Sequence, residues 1–202
     1  YTSKYSIAIE NIPYLSHNIC SIINASLGKS KKALGLDLDN TLWGGVIGDD
    51  GVDKIKIGKE SAISEAYSSL QTYIKELFSR GIILSVASKN ELSNALEGIN
   101  HPDSILKEGN FASIKANWRN KHENISEIAK ELNIFEDSMV FVDDNPAERL
   151  IVEKYLPDVF VPELNDDITE YINIIDKSGL FEPVSISGDD MLRNEKYQDN
   201  KK

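Results

Sequence analysis

The sequence predicts an α/β fold: a Rossmann-like, doubly wound parallel sheet covered by helices on both faces. Short apolar runs alternate with amphipathic segments along most of the 202 residues, which is the order of strands and helices in such sheets. Aspartate or serine follows three of these runs. Because the carboxyl ends of parallel strands meet at one edge of a sheet, these polar residues indicate a functional site there.

Two strands, a flap and a helix are predicted in the first half of the chain. The apolar run 33–36 reads as a buried strand, and glycines interleaved with β-branched residues over 43–59 then predict a small β-hairpin flap. Apolar residues three or four positions apart over 63–77 predict an amphipathic helix that ends at Gly81. The run 82–87 is a second buried strand.

The same alternation continues in the second half. Asn90 is the predicted N-cap of a short helix over 91–98, and Pro146 opens a helix at its first turn, where a missing N–H has no cost. The other predicted elements are strands near 111–114, at 139–142 and at 159–161, and helices over 122–132 and 166–175.

The chain divides into three predicted parts. Residues 1–30 are expected to be the end of a truncated upstream region, since the first residue is Tyr1 and not Met. Residues 31–184 form the α/β domain, and residues 185–202 are a polar tail or linker. A length of 202 residues fits about one to one and a half domains.

Composition excludes several classes of partner. Lys plus Arg is 22 and Asp plus Glu is 33, so the formal net charge is −11, which argues against nucleic acid and against an anionic membrane surface. The single cysteine, Cys20, excludes an internal disulfide and a thiolate zinc cluster. With no signal-peptide pattern and no apolar run near the ~20 residues that span a bilayer, a cytoplasmic location is expected.

The carboxylates at the strand ends are the chief candidates for chemistry. Alternation at the end of a strand points Asp37 and Asp39 toward the same side, and the pair Asp143-Asp144 ends another predicted strand. Converging carboxylates repel each other unless a cation joins them or they share a proton. Carboxylate oxygens are the ligands of hard cations, and Mg²⁺ is the simplest choice.

Together these residues resemble the motifs of the haloacid dehalogenase superfamily. The four motifs occur in the family's chain order: Asp37-Leu38-Asp39-Asn40-Thr41, then Ser88, Lys121 and Asp143-Asp144. More narrowly, the chain looks like the FkbH-like branch of the capless members. The stretches similar to that branch are Thr41–Gly48, Ser88–Asn90, Asn117-Trp118 before Lys121, Asp143–Arg149, Phe181-Glu182 and Asp189–Arg193.

The resemblance implies an Mg²⁺-dependent phosphoryl transfer in a catalytic domain over residues 31–184. Asp37 would be the nucleophile that forms an aspartyl phosphate, and Asp39 the general acid and base. The implied metal ligands are Asp37, the main-chain carbonyl of Asp39, and Asp143. The implied substrate phosphate-binding residues are Ser88, Lys121, Leu38 and Lys89, and the residues that support the metal ligands are Thr41, Asp144 and Asn145.

The resemblance also bears on the substrate. The segments after Asp39 and between Ser88 and Lys121 are too short for a large cap domain, so we expect an open site, which suits large substrates or a partner protein that closes it. The expected substrate is a phosphorylated small molecule. FkbH-like proteins are similar to enzymes that load a glyceryl unit from 1,3-bisphosphoglycerate onto an acyl carrier protein, which makes that protein the alternative partner. Some relatives have Cys before the second-motif Ser; here the residue is Ala87.

Two other readings use the same residues. A phospho-accepting receiver module also combines acidic residues, Ser and Lys on a parallel sheet, but its acidic pair comes first in the chain; here Asp37 and Asp39 come first and Asp143-Asp144 last. A docking module that has kept the site but lost its activity is the other alternative. The intact set of carboxylates favours an enzyme.

Overall fold

The computed structural model describes residues 7–183 and contains one parallel sheet. Its four strands lie in the order β3-β2-β1-β4. In the register, Leu36 of β1 lies opposite Val86 on one side and Val142 on the other. The strands are β1 (Ala33–Leu36), β2 (Ile83–Ser88), β3 (Phe111–Ala116) and β4 (Met139–Val142).

Seven α-helices within the described range connect or flank these strands. They are α1 (Ile12–Ser26), α2 (Ile47–Asp50), α3 (Ala62–Ser79), α4 (Leu92–Ile99), α5 (Lys121–Glu131), α6 (Pro146–Tyr155) and α7 (Tyr171–Lys177). Short 3-10 helices cover Ile9–Asn11, Val52–Lys54, Glu108–Asn110, Glu136–Ser138 and Ile168–Glu170.

The sheet is buried on both faces, which confirms the predicted fold class. Alternate residues of β4 enter two apolar cores: Val140 packs with Leu70 and Ile74 of α3, whereas Phe141 packs with Ile128 of α5. A strand buried on both faces needs apolar residues at every position. This explains why the strands appear in the sequence as continuous apolar runs.

The order of the strands in the sheet determines where the site lies. The chain moves outward from β1 through β2 to β3, and then returns to place β4 on the other side of β1. The crevice of a doubly wound sheet lies at this reversal, beyond the carboxyl ends of the strands. The residues that follow β1 and β4 therefore face each other.

The flap differs from the predicted β-hairpin. One antiparallel bridge, between Gly44 and Lys56, closes the segment, but its interior holds α2 and the 3-10 helix Val52–Lys54. The Asp50 side chain accepts a hydrogen bond from the Val46 amide (3.1 Å) and so stabilises the helical turn. The glycines and β-branched residues therefore form a helical loop on a single bridge.

Three smaller predictions also needed correction. The strand predicted at 159–161 is reduced to one bridge between Val140 and Phe160. The helix predicted over 166–175 is divided into the 3-10 helix Ile168–Glu170 and α7. The N-cap of α4 is Glu91, because Asn90 turns its side chain toward the site described below.

The N-terminal helix α1 stands apart from the two cores. Of its fifteen residues only Ser21 is buried in the described chain, and Gly28, with φ +71°, lies directly after its C-cap Leu27. Within residues 7–183, no helix has both the length and the apolar character needed to cross a bilayer. The predicted tail 185–202 lies outside the described residues.

Candidate active site

The structure brings three distant carboxylates together at the sheet edge. Asp37 follows β1, and Asp143 and Asp144 follow the neighbouring strand β4. One carboxylate oxygen from each residue lies within 4.8 Å of the others, a spacing at which one cation could contact all three. We call these three residues the acidic triad. Asp143 is fully buried and Asp37 is 6% exposed, so water compensates little of their charge.

Lys121, the first residue of α5, places its ammonium inside the acidic triad. Its Nζ lies 2.6 Å from Asp143 Oδ2 and 3.1 Å from Asp37 Oδ1, and the residue is 4% exposed. Burial alone would lower the pKa of Lys121, but the charges of Asp37 and Asp143 outweigh burial and raise it. The side chain is therefore held as a cation.

One ammonium does not balance the acidic triad. Burial, and then the charge of Asp37, raise the pKa of Asp143 to about 6 against the opposing effect of Lys121. The pKa of Asp144 is raised by the same two causes. Within residues 7–183, the ion pair with Lys121 at 3.1 Å is the contact that the buried Asp37 Oδ1 makes. A buried, undercompensated set of hard oxygen ligands suits a divalent cation such as Mg²⁺.

Thr41 and Asn145 fix the loop that carries two of the carboxylates. The Thr41 hydroxyl accepts a hydrogen bond from the Asp144 amide (3.1 Å) and donates one to Asp144 Oδ1 (3.3 Å). The Asn145 amide donates to Asp143 Oδ1 (2.9 Å), while the Asn145 side chain caps α6 through the Ala147 amide. Thr41 and Asn145 therefore each hold one carboxylate of the triad in place by a direct hydrogen bond.

Arg149 is a further supporting residue that sequence reasoning missed. Its guanidinium donates to the carbonyls of Asp143 (2.9 Å) and Asp144 (2.7 Å), and also to that of Leu164 (3.0 Å). It is 9% exposed. The single side chain thus ties the triad loop to the segment before α7. The sequence offered one signal for Arg149: it ends the stretch Asp143–Arg149, which resembles the FkbH-like branch.

Asp39 is not part of the acidic triad. Its Oδ1 accepts hydrogen bonds from Trp43 Nε1 (2.9 Å) and the Ile47 amide (3.1 Å), and its Oδ2 accepts one from Asn90 Nδ2 (3.0 Å). Burial raises its pKa, and this effect outweighs the Ile47 and Trp43 hydrogen bonds, which lower it. A carboxyl with a raised pKa is suited to proton transfer.

The other predicted site residues, Ser88, Leu38 and Lys89, differ in their burial and in their partners. Ser88 ends β2 and is buried, and its carbonyl accepts from the Asn117 amide (3.1 Å). The Leu38 side chain is fully buried, so any contact with a phosphate would involve its main chain. Lys89 pairs with Glu148 of α6 at 2.7 Å. Its predicted contact with substrate remains untested.

A comparison with protein-family models gives no match, and a comparison with curated proteins gives none either. Among solved structures, the chain is similar to the N-terminal part of the protein BF1531 from Bacteroides fragilis, which contains a phosphatase domain and is complexed with Mg. The TM-score is 0.84 and the identity 43%. The likeness covers 91% of this chain and 49% of that chain, so this chain spans about half the length of its neighbour.

Proposed function

We propose that the chain is an Mg²⁺-dependent phosphatase that acts through an aspartyl phosphate on Asp37. The acidic triad with Lys121 beside it carries the proposal, because this set of oxygen ligands can bind a divalent cation next to Asp37. The Mg-complexed phosphatase domain that is 43% identical supports it. The chain order of the motifs favours the haloacid dehalogenase superfamily and, within it, the FkbH-like branch.

The residues present fit an Mg²⁺ ion. Asp37 and Asp143 would hold it with their carboxylates and Asp39 with its main-chain carbonyl, while Asp144 lies close enough to contribute. When bound, the ion would withdraw charge from the phosphoryl oxygens. The observation that fits a divalent cation is the close approach of three carboxylates, with one oxygen from each within 4.8 Å of the others and a single ammonium beside them.

Asp37 performs the covalent step. One of its carboxylate oxygens attacks phosphorus and forms a P–O bond, while the bond from phosphorus to the ester oxygen breaks and the alcohol leaves. Water then attacks the same phosphorus, the bond to Asp37 breaks, and inorganic phosphate is released. Lys121 and Ser88 would bind the phosphoryl oxygens, since both are buried beside the ends of the central strands.

Asp39 moves the protons. It donates one to the leaving alcohol and removes one from the attacking water, so it returns to its starting state after each cycle. The hydrogen bonds from Trp43, Ile47 and Asn90 hold its carboxyl outside the triad. The acid–base role therefore calls for a side-chain rotation that exchanges some of these partners for the substrate.

Transfer of a glyceryl unit to an acyl carrier protein remains the alternative proposal for the physiological reaction. It shares the phosphoryl chemistry but needs a carrier as acceptor. Mass spectrometry of a phosphopantetheinylated carrier incubated with 1,3-bisphosphoglycerate and the chain separates the two reactions. A gain of one glyceryl unit selects the transferase; released phosphate with an unmodified carrier selects the phosphatase.

Phosphate release from 4-nitrophenyl phosphate tests the phosphatase. The chain should turn the ester over with Mg²⁺ and lose this activity with excess EDTA. Asp37→Asn should be inactive, while Glu153→Gln, which removes an exposed charge from α6, should match the original chain. An Asp37→Asn variant that is folded and fully active would rule out Asp37 as the nucleophile.

A further inference from the structure

A cleft of about 460 Å³ opens beside the acidic triad. The flap forms one wall with Gly44 and Lys56, and α3 contributes Tyr67. The segment leading into α7 forms the opposite wall, with Asp166, Asp167 and Tyr171 among its residues. The cleft is therefore built from parts of the chain that the fold brings together only in three dimensions.

The flap wall depends on close packing at Gly44. A Cβ atom at this position would lie 2.7 Å from Tyr67 Cε2, closer than real Cβ contacts, and 3.0 Å from Lys56 Cβ, which is tight. The absence of a side chain lets the flap lie directly on Tyr67. This packing holds the flap, with the Lys56 side chain, close to Tyr67 at the wall of the cleft.

The cleft is joined to the proposed chemistry through Asp144. This residue lines the cleft, and its carboxylate lies within 4.8 Å of the Asp37 and Asp143 oxygens in the acidic triad. A phosphorus atom attacked by Asp37 would carry its alcohol group away from the buried lysine and toward open space. The cleft is a space next to the triad that can take this group.

The charges of the cleft walls are predominantly negative. Asp144, Asp166 and Asp167 face one cation, Lys56. The side chains of Tyr67 and Tyr171 are neutral at pH 7. Burial, and then the charge of Asp144, raise the pKa of Tyr67 to about 12. Burial and Asp144 are also the two largest causes that raise the pKa of Tyr171. A bound cation would offset Asp144, which leaves the far wall acidic.

The walls also offer hydrogen bonds. Tyr67 donates its hydroxyl proton to the Asn40 carbonyl (3.3 Å) and can still accept. Asp167 caps the following turn by accepting from the Thr169 amide (3.0 Å) and hydroxyl (2.6 Å), which fixes its position. Carboxylates and phenols of this kind recognise hydroxyl and amino groups as donors.

We propose that this cleft selects the alcohol part of the phosphoester: a small group with hydroxyl or amino donors and without a second anionic group, which argues against 1,3-bisphosphoglycerate and therefore against the glyceryl transferase alternative. The inference rests on the proposed phosphatase function and names its substrate class. A carboxylate or second phosphate in the cleft would meet two acidic side chains on the far wall. Each such repulsion across solvent at about 4 Å corresponds to roughly fivefold in binding.

A matched set of esters tests this selection. Glycerol 3-phosphate and 3-phosphoglycerate have the same carbon chain and differ in a hydroxymethyl group against a carboxylate, and O-phosphoethanolamine adds an ammonium. We expect kcat/KM for the first to exceed that for the second by roughly tenfold or more. O-phosphoethanolamine should also exceed 3-phosphoglycerate. Turnover of 4-nitrophenyl phosphate by the same preparation measures the chemistry independently.

Two variants locate the selection in the cleft. Replacing Asp166→Asn and Asp167→Asn together removes both charges, and asparagine keeps the capping acceptor at position 167. The preference for glycerol 3-phosphate should then fall by roughly fivefold or more, and Mg²⁺-dependent turnover of 4-nitrophenyl phosphate shows that the variant is still a folded enzyme. Glu153→Gln, an exposed charge on α6 away from the cleft, should leave the preference unchanged.

The outcomes separate the two proposals. Equal rates for the two matched esters, or a preference for 3-phosphoglycerate, would overturn the selection while the 4-nitrophenyl phosphate rate still supports the phosphatase. A preference that survives in the double variant would likewise overturn the role of this cleft. No Mg²⁺-dependent turnover of any ester, the aryl phosphate included, would remove the proposed function and this inference with it.

Discussion

Replacing Lys121→Met tests whether the acidic triad depends on one buried cation. Methionine keeps an unbranched chain of similar length but removes the ammonium that lies 2.6 Å from Asp143 and 3.1 Å from Asp37. Removing one partner of a buried ion pair leaves an uncompensated charge and costs about 3–5 kcal/mol. Without metal, the free energy of unfolding at neutral pH should fall by about that amount.

The effect should depend on pH and on Mg²⁺. The folded-state pKa of Asp143, about 6, lies above the value of 3.8 for an ordinary aspartate, so ionising it lowers stability as pH rises through this window. Without Lys121 this penalty grows, and the deficit should be larger at pH 8 than at pH 5. Millimolar Mg²⁺ should restore part of the stability, because the ion supplies the missing positive charge.

Urea denaturation followed by far-UV circular dichroism measures these differences. The matched control is Lys115→Met, which removes a lysine that pairs with Glu127 (2.8 Å) and Glu131 at the surface. Its glutamate partners are exposed to solvent, and pairs of this kind contribute about 1 kcal/mol or less. If Lys121→Met costs no more than Lys115→Met, the triad carboxylates do not depend on the buried ammonium and the charge argument is refuted.

Three further predictions follow from the contacts of the site. Gly98→Ala should destabilise the fold by about 1–3 kcal/mol in chemical denaturation, although Ala normally favours a helix, because the new Cβ would lie 2.6 Å from Trp43 Cη2. Arg149→Lys should weaken Mg²⁺ binding by about tenfold in titration calorimetry, because one ammonium cannot replace the guanidinium that donates to three carbonyls. The circular dichroism spectrum should be unchanged. Mg²⁺ affinity should fall as pH drops below about 6, because protonation of Asp143 competes with the ion; unchanged affinity from pH 7 to 5 would contradict this.

The strands β1 and β4 and the polar residues that follow them could be predicted because a strand that is buried on both faces is a short, continuous apolar run in the sequence. The bounds 33–36 and 139–142 agree with β1 and β4, and each run is apolar throughout. Once the strands are parallel, chain order alone brings Asp37 and Asp143 to the same edge. The convergence of these residues therefore followed from local patterns together with one topological rule.

Side chains whose partners are distant in the chain could not be assigned in this way. Asn90 has the chemistry of an N-cap, and it does accept from the Glu91 amide, but its amide nitrogen binds Asp39, 51 residues earlier. Trp43 opens the segment predicted as a flap, yet it is fully buried with its ring against Gly98 of α4. In both cases a contact with a residue distant in the chain fixes the side chain, and no local sequence pattern indicates that contact.

The charges of the site indicate an order of binding. The acidic triad carries three carboxylates against the single ammonium of Lys121, in a chain whose net charge is −11, so a phosphate dianion would meet net repulsion at an empty site. A divalent cation reverses that local balance, and binding of the metal before the substrate is the arrangement that electrostatics favours. The far wall of the cleft, with Asp166 and Asp167, lies beyond Asp144 and outside the triad. One site can therefore attract the phosphoryl group of an ester and at the same time reject a second anionic group on its alcohol.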